Sequence, residues 1–214
     1  ETKVKKILVP IPSKDFDPSE VAIPFKVLKH WEIVFATPTG AIAEPDHYMV
    51  HGKGLGIFGP MLRADKNARK ALETLLDSKE FNNPISYSDI VAEEYDAMLL
   101  PGGHAQGVKE YLESETLYDI AEYFFDEIKP VAAICHGVLI LARAKSKSTG
   151  NSLLFGRKTT CLPSDSEMLA WFVTKHKMGF YYRTYPEITV EDEVKDCLED
   201  KGDYIKGPML LLRD

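Results

Sequence analysis

The sequence predicts an α/β fold, a mostly parallel central sheet with helices on both faces. Two observations carry this. Apolar runs of four or five residues, short enough to be buried strands, alternate with longer amphipathic stretches along the whole chain. Strands buried on both faces read as continuous apolar runs, which is the signature of a parallel sheet covered by helices.

The elements follow in order. Ile7-Leu8-Val9 reads as the first strand, and Glu20 to His30 as a helix with Val21, Phe25 and Leu28 on one face. Ile33 to Ala36 is the second strand, and Asn67 to Leu76 a helix. Ala97 to Leu100 is a strand closed by Pro101-Gly102-Gly103. Leu117 to Ile128 is a helix that stops before Pro130. Val131 to Ile134 is a strand, followed by helices at Val138 to Ala144 and Ser166 to His176, with a further strand expected just before the latter. Residues 46–66 break the alternation. Their Gly-rich stretch has Lys53 in mid-loop and no Ser or Thr after it, so a flap over the site fits better than a phosphate loop.

The chain of 214 residues suits a single domain, and 44% apolar with 28% charged residues is ordinary globular composition. Lys and Arg number 26 against 33 Asp and Glu, a net charge of −7 that argues against nucleic acid or an anionic membrane as partner. No apolar run approaches the roughly 20 residues of a membrane span. The N-terminal apolar run turns polar at Ser13, unlike a signal peptide. Three cysteines without paired spacing give no disulfide framework, so a cytoplasmic setting is expected.

The strongest chemical signal is Ala133-Ile134-Cys135-His136-Gly137-Val138. An apolar strand ends in a Cys and a helix starts at once, the pattern of a nucleophile elbow. The helix N-terminus there is expected to favour a thiolate. Gly137 relieves crowding at the turn. His136 is the candidate base, and it needs an acid on its second nitrogen. Glu167 and Asp165, in the stretch Thr159 to Glu167, are the candidates. Leu99 to His104 forms a second loop at a strand end, where Gly102 and Gly103 can turn backbone N–H groups toward an oxyanion and His104 can line the pocket. No second His stands at ligand spacing, so no metal is expected. Glu20, after Asp17-Pro18-Ser19, either starts a helix or faces Cys135, in which case one of the pair must hold a proton.

With these residues in hand, the chain resembles the ThiJ/PfpI superfamily, a flavodoxin-like, three-layer branch of the class I glutamine amidotransferase fold. The carriers are Asp17 to Glu20, the Asp96-to-His104 strand and loop, and the Ala133-to-Gly137 elbow. Asn83 to Ile90 and the Pro101-to-His104 loop look most like its glyoxalase III and stress-chaperone branch. The resemblance implies a cofactor-free triad of Cys135, His136 and Glu167, with Asp165 in reserve and Glu20 beside the thiol. It implies a small reactive carbonyl such as methylglyoxal as substrate, and a homodimer. It also implies a further C-terminal strand, expected to be missing after Leu210 to Asp214. The rival readings are a cysteine hydrolase acting on amides or peptides, and a non-enzymatic peroxide sensor or holdase chaperone.

Overall fold

The computed structural model describes residues 4–52 and 59–207, leaving aside the side chains of Pro60 and Met61. Five strands form one sheet: β1 (Lys6–Pro10), β3 (Glu32–Thr37), β5 (Ile85–Ser86), β6 (Ala97–Leu100) and β7 (Val131–Ala133). Their order is β5-β3-β1-β6-β7, and every pair is parallel. Two short strands, β2 (Lys14–Phe16) and β4 (Glu44–Pro45), pair separately, also in parallel.

Alternation along the strands sorts the core into two layers. Ile7, Val9, Ile33, Phe35 and Leu99 face one side, where α1 (Pro18–Val27) and α4 (Lys66–Leu76) cover them. Leu8, Ala36, Met98 and Leu100 face the other side, beneath α7 (Glu115–Asp126), α8 (Val138–Arg143) and α10 (Val190–Cys197). Burial of these side chains on both faces is what makes the parallel sheet stable. The remaining helices are α2 (His47–His51), α3 (Gly59–Leu62), α5 (Lys79–Asn82), α6 (Lys109–Leu112) and α9 (Ser164–Met178).

The strand order locates the site. From β1 the chain works outward through β3 to β5, then returns to the other side of β1 as β6. The connections leaving β1 and β6 therefore diverge, and the crevice between them at the strands' carboxyl ends is where ligands bind in such sheets. The loop from β1 leads to Asp17 and Glu20, and the loop from β6 is Pro101 to His104.

Two expectations are corrected. Before α9 there is no strand, only an isolated bridge between Thr159 and Tyr204. Helix α10 lies where no helix is expected, and its burial of Val190 and Val194 completes the second layer. The expected flap at 46–66 falls partly outside the described residues. The Leu210-to-Asp214 run falls wholly outside them.

Candidate active site

Strand β7 ends at Ala133, and a tight turn over Cys135–Gly137 leads into α8. Cys135 sits at φ 52, in the left-handed region that only glycine enters freely. Gly137 explains how the turn is that tight. A Cβ there would lie 2.3 Å from the Leu100 carbonyl oxygen and 2.6 Å from that of Pro101. Helix α8 thus starts against the backbone of β6, and the sulfur is carried over the crevice.

Glu20 reaches the same place from α1. Asp17 caps that helix, its Oδ1 accepting the N–H groups of Ser19 (2.7 Å) and Glu20 (3.1 Å). The Asp17 N–H donates to the Gly102 carbonyl at 3.2 Å. In return the Gly102 N–H donates to Glu20 Oε2 at 2.7 Å. The two loops are stitched together, and the Glu20 carboxyl is hydrogen-bonded to the Cys135 thiol. The Gly102 N–H is therefore taken up by Glu20. The Pro101 carbonyl is fixed by the buried Tyr111 hydroxyl at 2.8 Å, and Gly103 adopts φ 147 where a Cβ would press on Asp15 and Val108.

The electrostatics differ from the sequence expectation. Burial, then the charges of Glu20 and Asp17, push the Cys135 thiol well up, and a hydrogen bond from the His136 N–H only partly offsets them. Burial, followed by the nearby Asp17, pushes Glu20 up to about 8. At neutral pH the pair retains protons, because burial first, and then the charges of Glu20 and Asp17, outweigh what the N–H groups of the turn offer the sulfur.

His136 is wholly buried, with Nδ1 3.4 Å from Cys135 Sγ. Burial pushes it down to about 3. Its Nε2 has no hydrogen-bond partner among the described residues. Neither expected acid reaches it. Glu167 Oε2 accepts the Val190 N–H at 3.0 Å, and Oε1 pairs with Arg183 Nε at 3.3 Å. Asp165 pairs with Lys206 at 2.6 Å in an exposed contact. The structure thus gathers Cys135, His136, Glu20 and Gly102, and sets Glu167 and Asp165 apart from the imidazole. His104 is buried on the continuing loop and stacks on Tyr182.

Sequence reasoning missed Asp17 as the neighbour that tunes Glu20, although the cap pattern Asp-Pro-Ser-Glu was visible. It also missed Asp46, Tyr181 and Tyr182 around His104. The Phe-Tyr-Tyr run at 180–182 was the available signal. Among the described residues no cluster of three or more His, Cys, Asp or Glu could hold a metal ion, and no helix is long and apolar enough to cross a membrane.

With this geometry established, comparison with known proteins places the chain. A family model described as ThiJ/PfpI family-like matches residues 11–208, and the chain belongs to that family. It is 27% identical over 155 residues to the glutathione-independent glyoxalase hsp3102 of Schizosaccharomyces pombe, covering 70% of this chain and 60% of the relative. It is 37% identical over 82 residues to a Pyrococcus abyssi deglycase, covering 38% of this chain and 44% of the relative. The chain thus spans less than two thirds of the length of either. The crystal structure of glyoxalase III from Candida albicans superimposes with a TM-score of 0.67 at 23% identity, over 95% of this chain and 83% of that one.

Proposed function

We propose that this chain is a cofactor-free, cysteine-dependent enzyme acting on small reactive carbonyls, converting methylglyoxal to lactate. The observation that carries the reading is the Cys135 thiol, held at φ 52 over the crevice and hydrogen-bonded to a Glu20 carboxyl pushed up to about 8. The names of the glyoxalase and deglycase relatives supply the substrate class.

The sulfur adds to the aldehyde carbon, and the thiol proton passes through Glu20 to the former carbonyl oxygen, giving a hemithioacetal. The C1 proton then leaves to a base and a proton returns at C2, so the adduct becomes a thioester of a 2-hydroxy acid. Water attacks that thioester, the sulfur–carbon bond breaks, and the sulfur regains its proton. Methylglyoxal and water become lactate and a proton, with no external oxidant.

Glu20 is the proton carrier for a physical reason. A general base works best when its pKa lies near the working pH. Glu20 is pushed up to about 8 by burial, whereas the same burial pushes His136 down to about 3. His136 stays neutral, and its Nδ1 beside the sulfur holds the adduct in place. Glu167, engaged by Val190 and Arg183, orders the α9–α10 junction instead of relaying protons.

Lactate formation from methylglyoxal by fresh, reduced protein tests the reading. Wild type is expected to produce it, and Cys135→Ala to fall to background. No lactate from the wild-type protein overturns it. A stoichiometric burst with an activated ester, acylating Cys135 in place of aldehyde turnover, makes the chain a hydrolase.

A further inference from the structure

His104 continues the loop that holds Glu20, two residues beyond Gly102. Its ring stacks on Tyr182, with centroids 4.4 Å apart and planes 17° apart, and meets Tyr181 edge-on at 4.8 Å. The Thr184 hydroxyl donates to the His104 carbonyl at 2.6 Å. The Gln106 amide donates to the Arg183 and Thr184 carbonyls at 3.2 and 3.4 Å. Residues 181–184 are thereby pinned to the loop. The Tyr181 hydroxyl donates to Asp46 Oδ2, while Asp46 Oδ1 caps α2 through the N–H groups of Tyr48 and Met49. Three segments distant in sequence so enclose one buried imidazole.

That imidazole is incompletely satisfied. His104 Nε2 is buried without a hydrogen-bond partner among the described residues, and Asp46 Oδ2 lies 4.0 Å away, too far for a direct bond. Leaving such a nitrogen unpaired in an aromatic wall is costly, and the cost calls for a partner that the described residues do not supply. An oxygen at an ordinary hydrogen-bond length of about 2.8 Å from each atom spans the separation. The cluster also adjoins the thiol site. His104 and His136 are near enough for one to oppose protonation of the other, and Asp17 opposes ionisation of both Tyr181 and Tyr182.

We propose that His104 Nε2 and the Asp46–Tyr181 pair form the contact for the substrate's second oxygen, on the carbon next to the aldehyde, so that the site selects 2-oxoaldehydes over simple aldehydes. This rests on the reading that Cys135 adds to an aldehyde. As a ketone that oxygen accepts from the His104 N–H. As the hydroxyl of the rearranging adduct it also donates to Asp46. The contact therefore strengthens as the reaction proceeds, the condition for a contact to accelerate it.

The test compares methylglyoxal with propanal, which has the same carbon count and no second oxygen. KM and kcat are measured for methylglyoxal, and half-protection of Cys135 against iodoacetamide for propanal. His104→Phe keeps the stack on Tyr182 and removes Nε2. It is expected to lower kcat/KM for methylglyoxal about 10-fold or more, through kcat as well as KM, and to leave propanal protection within about twofold. His104→Gln, which restores a side-chain N–H, is expected to recover most of the loss. If His104→Phe does not fold, Tyr181→Phe carries the same comparison. An equal change for both aldehydes, or an unchanged kcat/KM for methylglyoxal, overturns the inference while methylglyoxal turnover stands. If neither aldehyde protects wild-type Cys135, the reading of the reaction falls, and the inference falls with it.

Discussion

Glu167 Oε1 lies 3.3 Å from Arg183 Nε, and both side chains are buried. This ion pair joins α9 to the segment that carries Tyr181 and Tyr182, and the other Glu167 oxygen holds the first N–H of α10. Removing one partner strands the other charge in the interior, at a cost of about 3–5 kcal/mol. Arg183→Met should show that loss in urea denaturation. Glu167→Gln, which keeps an oxygen for Val190, should lose less. Because Glu167 is turned from His136, Glu167→Gln should also retain more methylglyoxal turnover than Glu20→Gln. The reverse order would place Glu167 in the proton path.

Glu20 makes the thiol's reactivity depend on pH. Below about 8 both Glu20 and Cys135 are protonated, and above it the pair shares one proton. Iodoacetamide alkylation of Cys135 should therefore rise with an inflection near pH 8 in wild type, and Glu20→Gln should lack it. The same shift has a stability consequence. The Glu20 carboxyl is raised from 4.5 to about 8 on folding, so its contribution is full below 4.5 and is lost as pH rises through about 8. From pH 5 to pH 9 the urea midpoint of Glu20→Gln should gain on that of wild type. A constant difference would mean that Glu20 is ionised throughout.

What the sequence revealed and what it hid divide along physical lines. Runs such as Ala97 to Leu100 and Val131 to Ala133 were legible because a strand buried on both faces needs only local apolarity. The Cys135 turn was legible because the strand end, Cys and Gly137 adjoin in sequence. Helix α10 was hidden by its charge. Glu191, Asp192 and Glu193 mask the buried Val190 and Val194, although Thr189 accepting the Asp192 N–H is an ordinary cap. The separation of His136 from both candidate acids was not legible at all. Sequence spacing to Glu167 says nothing about where the 30-residue connection from His136 turns, and Arg183 competes for that carboxylate from further down the chain. The His104, Asp46 and Tyr181 cluster was hidden for the same reason, since only tertiary packing unites its segments.

Gly137 is a steric requirement of the elbow. A methyl group there would meet the Leu100 and Pro101 carbonyl oxygens at 2.3 and 2.6 Å, backbone atoms that cannot rotate away. Gly137→Ala must lift α8 from β6 or distort the Pro101-to-Gly103 loop. Overpacking of this kind costs about 1–3 kcal/mol. Thermal denaturation should register that cost, and Cys135 alkylation should slow, because the displaced loop also holds Glu20. Unchanged alkylation with lowered stability would show that the loop tolerates the shift.

Cys135 and Ile128 both stand at positive φ, 52 and 55, but for different reasons. Ile128 is an exposed residue just past α7, where a β-branched side chain gains nothing to offset the backbone cost. Ile128→Gly should therefore stabilise the protein. Cys135 holds the same strain where the chemistry needs a projected sulfur. Cys135→Ala keeps the strained Cβ and Cys135→Gly removes it, a difference of about 1–2 kcal/mol. For a chain of this size, each 1 kcal/mol is worth about 2–4 °C in Tm. Both variants should be inactive, and Cys135→Gly should melt higher than Cys135→Ala. If alanine melts as high as glycine, the backbone at this turn is relaxed, and the sulfur's position follows from packing against Gly102 and Glu20 and owes nothing to stored strain.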